Sequence, residues 1–242
     1  MRYAILGDVH GNLEALNEVL WALKRESIDE YMCIGDIVGY NANPKECIKI
    51  VKELCKKIVA GNHDWACVNK FAWEWFNDIA KEAISWTSQI LSNEEKNFLS
   101  FLNLVYENSD FTLVHGTLFE PERFFYLDNI SYAWKCFQNL RTPILFLGHT
   151  HRPLFFLLDR NDRLFYSFEN EISIEKGFRY IVNVGSVGQP RDGDPRACFC
   201  IYDTEKKLIE LKRIEYDFRK TQEKILNNSL PEELAYRLAW GR

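Results

Sequence analysis

Within the first 60 residues, short apolar runs each end in glycine and are separated by helix-period segments. This alternation restricts the chain to a mostly parallel sheet with helices packed on it. Tyr3-Ala4-Ile5-Leu6 reads as a buried strand before Gly7. Asn12 then caps a predicted helix whose Leu13, Leu16, Leu20 and Leu23 recur at helical spacing, with Lys24 and Arg25 suiting its C-terminal dipole. Tyr31-Met32-Cys33-Ile34 is the next predicted strand. Asn43-Pro44 opens a second helix with Cys47, Ile48, Val51, Leu54 and Cys55 on one face, and Ile58-Val59-Ala60 returns as a third strand.

From Trp65 to about Leu102 the pattern becomes helical and aromatic, and that cluster reads as core or subunit contact more readily than as a platform for a nucleobase. Strands are predicted at Phe111 to Val114, Ile144 to Leu147 and Leu154 to Leu158, with a helix around Ile130 to Leu140 between the first two. Four later runs, Leu164 to Phe168, Tyr180 to Val184, Ala197 to Tyr202 and Leu208 to Ile214, lie close together and suggest a second, hairpin-rich sheet. No repeat or Gly/Ser linker interrupts residues 1–242, which read as one domain with a helical tail at about 217–242.

The chain holds five histidines, and every one lies in a short motif with a glycine after a predicted strand. They occur as Gly7-Asp8-Val9-His10-Gly11, Gly61-Asn62-His63-Asp64, Val114-His115-Gly116 and Gly148-His149-Thr150-His151. Strand ends of open α/β sheets are where ligands bind. In extended backbone the i, i+2 spacing of Asp8 with His10 and of His149 with His151 points both side chains to one side. Asp36, in Gly35-Asp36, arrives at the same edge. Carboxylates, an asparagine and imidazoles together exceed what one four-coordinate ion needs and suit two ions sharing a carboxylate. An oxygen- and imidazole-rich set with no thiolate favours Mn, Fe, Co or Zn. Two cations roughly 3.5–4 Å apart lower the pKa of a bridging water and neutralise the entering and leaving oxygens of phosphoryl transfer, so phosphate-ester hydrolysis is the expected reaction.

The blocks D-x-H, G-D, G-N-H-[DE], H and G-H-x-H stand in that order between residues 7 and 151, and in this the sequence resembles the calcineurin-like metallophosphoesterase superfamily. The run Asn183-Val184-Gly185-Ser186-Val187-Gly188-Gln189-Pro190 resembles the loop of its small bacterial and archaeal phosphodiesterase branch. The resemblance implies an α/β four-layer αββα sandwich of two mixed sheets flanked by helices. It also implies two divalent ions, Mn foremost with Fe, Zn, Co or Ni as alternatives. Carried over by motif, Asp8, His10, Asp36 and His151 hold one ion and Asp36, Asn62, His115 and His149 the other. The implied reaction is in-line attack by a metal-bridging hydroxide on a phosphodiester. His63 matches the non-ligand histidine and acts as general acid, with Asp64 either orienting it or capping a turn.

Protein phosphatases of the superfamily carry Asp-Arg-Gly after the Gly-Asp block, whereas here Ile37-Val38-Gly39-Tyr40-Asn41 follows, which argues against that activity. Tyr40, Asn41 and Arg191 are the candidate substrate contacts, Arg191 supplying the guanidinium that the Gly-Asp block lacks. A dinucleoside polyphosphate hydrolase is the alternative, and a non-catalytic scaffold a more remote one.

Thirty Lys and Arg against 35 Asp and Glu leave a net charge of −5, which argues against non-specific nucleic-acid binding. No apolar run reaches bilayer-spanning length. Seven cysteines with no C-x-x-C pair fit a reducing cytoplasm. Small phosphate esters or nucleotides are the expected partners, and a homo-oligomer is compatible with the sequence.

Overall fold

A computed structural model describes residues 1–242. Two six-stranded sheets carry the fold. The first has the order β3-β2-β1-β11-β12-β9, and the second β4-β5-β6-β10-β7-β8. In the first sheet, β1 (Arg2–Leu6), β2 (Glu30–Cys33) and β3 (Cys55–Ile58) run parallel. Antiparallel β11 (Ala197–Asp203), β12 (Leu208–Ile214) and β9 (Glu171–Ser173) extend it. In the second, β5 (Phe111–Val114), β6 (Ile144–Leu147) and β10 (Arg179–Asn183) run parallel. Antiparallel β4 (Val105–Glu107) lies on one side of them, and β7 (Leu154–Leu158) with β8 (Leu164–Ser167) on the other.

Period-two alternation decides what each strand buries. Tyr3 and Ile5 of β1 face the space between the sheets, where they meet Phe111, Ile144 and Phe146. Ala4 and Leu6 face outward onto α1 (Leu13–Leu23) and α2 (Pro44–Leu54). On β6, Leu145 and Leu147 turn to α3 (Ile130–Asn139), so the sandwich is helix, sheet, sheet, helix as expected. Asn12 caps α1 through Ala15 N–H, as the sequence indicates, and Asp217 caps α4 (Phe218–Asn227) through Lys220 N–H at the start of the expected helical tail. All seven cysteines are free. No helix is long and apolar enough to cross a membrane.

Two expectations are corrected. The late strands do not make a sheet of their own: β8 and β10 join the sheet begun by β4, while β9, β11 and β12 complete the one begun by β1. Sequence proximity favours hairpins, but β10 is captured by parallel pairing with β6 and β11 by antiparallel pairing with β1. Cys55, placed on the second helix by periodicity, starts β3 instead, because register with Tyr31 draws the backbone into the sheet. The edge strands β4 and β9, each three residues, carry too little pattern to read.

Candidate metal centre

The parallel strands of both sheets point their C-terminal ends the same way, and the motifs lie just beyond those ends. Asp8 and His10 follow β1, Asp36 follows β2, Asn62 and His63 come after β3, His115 follows β5, and His149 and His151 follow β6. The turns are tight. A Cβ on Gly61 would collide with the Asp36 carboxylate and one on Gly148 with that of Asp8, so the glycines beside the motifs are spaces the carboxylates occupy. The ligand-bearing turns themselves are left-handed, with φ of +52° at Asp8, +49° at His10, +50° at Asp36, +65° at His149 and +59° at His151.

Two donor groups result. Asp8, His10, Asp36 and His151 offer one ligand atom each within 4.8 Å of one another, and so do Asp36, His115 and His149. Asp36 belongs to both. Asn62 joins the second group, its Oδ1 lying 3.1 Å from His115 Nε2. All seven side chains are buried.

The chemistry of the set fits cations. His10 Nδ1 lies 3.0 Å from the Val38 carbonyl and His151 Nδ1 2.5 Å from the Gln189 carbonyl. A carbonyl only accepts, so both Nδ1 atoms carry the proton and both Nε2 atoms present lone pairs. Those lone pairs face each other at 3.1 Å, a repulsive contact that a shared cation relieves. Burial holds His10, His149 and His151 below the ordinary imidazole range. His115 is the exception: against burial, the Asp36 carboxylate 3.3 Å away lifts it to about 9. That proton occupies the place of a positive charge and would leave on metal binding.

The loop after β10 supports this centre. Ser186 Oγ donates to the Asp8 carbonyl at 2.8 Å, Gln189 supplies the carbonyl that orients His151, and Asn183 donates to the Gly148 carbonyl. His63 sits beside the donor groups and belongs to neither. Its backbone N–H donates to Asp36 Oδ1 at 2.9 Å, and its ring packs edge-on against Phe76 and His10. Its Nδ1 is buried without a partner, and burial pulls its pKa to about 4 against the Asp36 carboxylate.

Asp64 is not bonded to His63. Its Oδ1 accepts the backbone N–H groups of Ile37 and Val38, and its Oδ2 that of Gly61, so it staples the Asp36 loop to the Asn62 loop. Burial and the Asp36 charge lift its pKa to about 7, while the three donors favour the anion. The turn-capping reading of Asp64 therefore describes its contacts, and the orienting one does not. Asn41 also differs from expectation: it is fully buried and donates to the His10 carbonyl at 2.9 Å rather than lining a cavity.

The Tyr40 ring lies 4.5 Å from that of His10 and 4.4 Å from that of His63, centroid to centroid. The Arg191 guanidinium lies 5.5 Å from the Tyr40 ring centroid, donates to Gln189 Oε1, and has no carboxylate partner. A second guanidinium, unmarked by any motif, comes from Arg237 in the tail, whose pKa is lowered by burial and then by Arg191.

Beside His63, Asn62 and His149 opens a cavity of about 490 Å³, walled by the aromatic segment 71–76 and by residues 122–126. Trp75, Phe71 and Phe76 of the aromatic cluster line it, whereas Trp73 packs against the core and donates to the Ala66 carbonyl. A larger hollow of about 790 Å³ lies at the other end of the strands, where β6 and β10 begin, and contains none of the donors. Size alone would select that hollow; the donor chemistry selects the smaller one.

Comparison with known proteins agrees with this geometry. A family model of the calcineurin-like phosphoesterase superfamily domain matches residues 1–207. An uncharacterized protein of Methanocaldococcus jannaschii is 38% identical over 249 residues, covering 99% of this chain and 98% of its own. The crystal structure of a metallophosphoesterase from Sphaerobacter thermophilus is 38% identical and superposes with a TM-score of 0.88, covering 100% of this chain and 99% of that one. A hypothetical protein from Pyrococcus horikoshii shares the fold at 22% identity and a TM-score of 0.79, over 100% of this chain and 98% of that one.

Proposed function

Because the chain belongs to the calcineurin-like phosphoesterase superfamily, and so is a metal-dependent phosphoester hydrolase, we propose that it is a dinuclear phosphodiesterase. Asp8, His10, Asp36 and His151 would hold one divalent ion, and Asp36, Asn62, His115 and His149 the other, Mn first among the candidates. Ions there would supply an activated water and neutralise charge on the phosphoryl oxygens.

The single observation that carries the reading is the shared Asp36, enclosed between two donor groups beside an aromatic-walled cavity. A diester has a second substituent to place in such a cavity and one fewer negative charge to neutralise than a monoester. Arg191, without a carboxylate partner, would bind a non-bridging phosphate oxygen, and Tyr40 would hold its guanidinium in place. His63 would give its proton to the departing alkoxide, after taking one up when a phosphate anion offsets the burial that keeps it neutral. Ile37 and Val38 are both buried, so the Gly-Asp block offers no guanidinium for a phosphoprotein substrate. We take residues 1–242 as one catalytic unit whose tail contributes Arg237, acting on small esters or nucleotides in a reducing cytoplasm.

One observation favours a second reading. Arg191 lies close enough to Arg237 for its charge to act on that guanidinium, and two such groups would suit a substrate with more than one phosphate, such as a dinucleoside polyphosphate. Metal-stripped and Mn-reloaded protein, assayed on bis(p-nitrophenyl) phosphate, p-nitrophenyl phosphate and a dinucleoside polyphosphate, separates the readings. Two ions per chain with Mn-restored cleavage of the diester supports the first. Cleavage of the polyphosphate alone supports the second, and absence of bound metal sinks both.

A further inference from the structure

We propose that the cavity beside the metal centre is a nucleobase slot, with Trp75 as its open stacking face. The inference rests on the phosphoesterase reading only for where the phosphate sits. The slot is continuous with the centre, because Asn62, His63 and His149 form its inner wall. A phosphate ester held by the donor groups thus has its substituent directed between the two aromatic segments.

The rings there are arranged unequally. Phe71 packs edge-on against Phe76 and Phe124 at centroid distances of 5.8 and 5.0 Å, so these three brace one another. Tyr126 lies flat on His149, with centroids 4.0 Å apart and planes within 10°, which fixes the plane of a donor imidazole. Trp75 differs. It is 70% exposed, it lines the cavity, and its ring makes no pairing with another aromatic ring. A large apolar plane left in water at the edge of a substrate cavity gains most when another plane covers it.

The polar groups on the rim choose among possible planes and chains. Asn77 spends its Oδ1 on capping the helix that follows, through Ala80 N–H, which leaves its amide N–H groups free to donate. Glu122 brings an acceptor to the other side of the opening. A donor and an acceptor on the lining of one aromatic cavity match the edge of a nucleobase. An acyl chain would leave both unsatisfied.

The test is a binding measurement on full-length, Mn-loaded protein by titration calorimetry, with adenosine 5′-monophosphate against ribose 5-phosphate. The two share sugar and phosphate and differ by the base. The slot requires the nucleotide to bind at least about tenfold tighter, the size of one stacking contact. Trp75→Ala should abolish most of that difference while leaving ribose 5-phosphate affinity unchanged, and Trp75→Phe should restore it. Equal affinity of the two phosphates in the unmodified protein overturns the slot, as does a preference indifferent to Trp75→Ala. The two proposals fail separately. Diester cleavage without base preference removes the slot alone, and Trp75-dependent base preference without ester cleavage removes the phosphodiesterase assignment and leaves the slot standing.

Discussion

Left-handed backbone at Asp8, His10, Asp36, His149 and His151 means that five of the seven assigned ligands occupy a region costing on the order of 1–3 kcal/mol each. Asp tolerates it better than most residues, and the hydrogen bonds that lock each turn offset it, as with His149 N–H donating to the Asp8 carboxylate. The benefit is convergence: a left-handed residue reverses the chain in one step, so side chains from neighbouring turns meet within hydrogen-bonding distance. Asp36 is the residue on which both groups depend. Asp36→Asn keeps the shape, loses the charge, and should weaken both ions at least about tenfold, read as metal per chain after dialysis. His63→Ala should behave in the opposite way, retaining two ions while turnover of an alkyl diester falls by roughly 10²–10⁴ and that of a nitrophenyl ester by less. Loss of metal in His63→Ala would mean that His63 is a ligand.

At the scale of elements, the site exists because three parallel strands in each sheet end at one edge, and the loops leaving them are cross-linked. Asp64 ties two of those loops and Ser186 a third to Asp8. Away from the site, Glu26 follows α1 and joins Arg2 of β1 at 3.0 Å and Lys212 of β12 at 2.9 Å. The Lys212 hydrogen bond, opposed by burial and assisted by Arg2, holds its carboxyl below the usual range. A depressed folded pKa stabilises fully above the unfolded value and is lost as pH falls through the folded one. Glu26→Gln should therefore cost about 1 kcal/mol at pH 7, with the gap to the unmodified protein closing below about pH 4 in denaturant titrations. A gap that stays constant with pH would show that Glu26 acts through packing.

For the whole molecule, cation binding and folding are linked, because the donors come from loops of both sheets and are gathered only in the native state. A cation at about 100 times its dissociation constant adds roughly 2.7 kcal/mol to stability. At about 2–4 °C per kcal/mol for a chain of this size, chelation should lower the melting temperature by about 5–10 °C for each site emptied. Calorimetry with and without chelator reads this directly, and an unchanged transition would argue against a cation in this cluster.

The sequence alone determined the parallel β/α opening, the cap at Asn12, the helical tail and the set of candidate ligands, because each depends on local spacing. Period-two and helical repeats are read within a few residues, and glycine beside histidine at a strand end is a short-range signal. Tertiary structure decided which sheet each late strand joined, since β10 and β11 choose partners far away in the chain by burial and register. It also showed Asp64 tying two loops together and Asn41 holding the His10 carbonyl, and it laid Tyr126 flat on His149, a contact that no motif announces. The physical reason is common to all of these: a side chain's role depends on which donors and rings surround it, and only packing assembles those from distant segments.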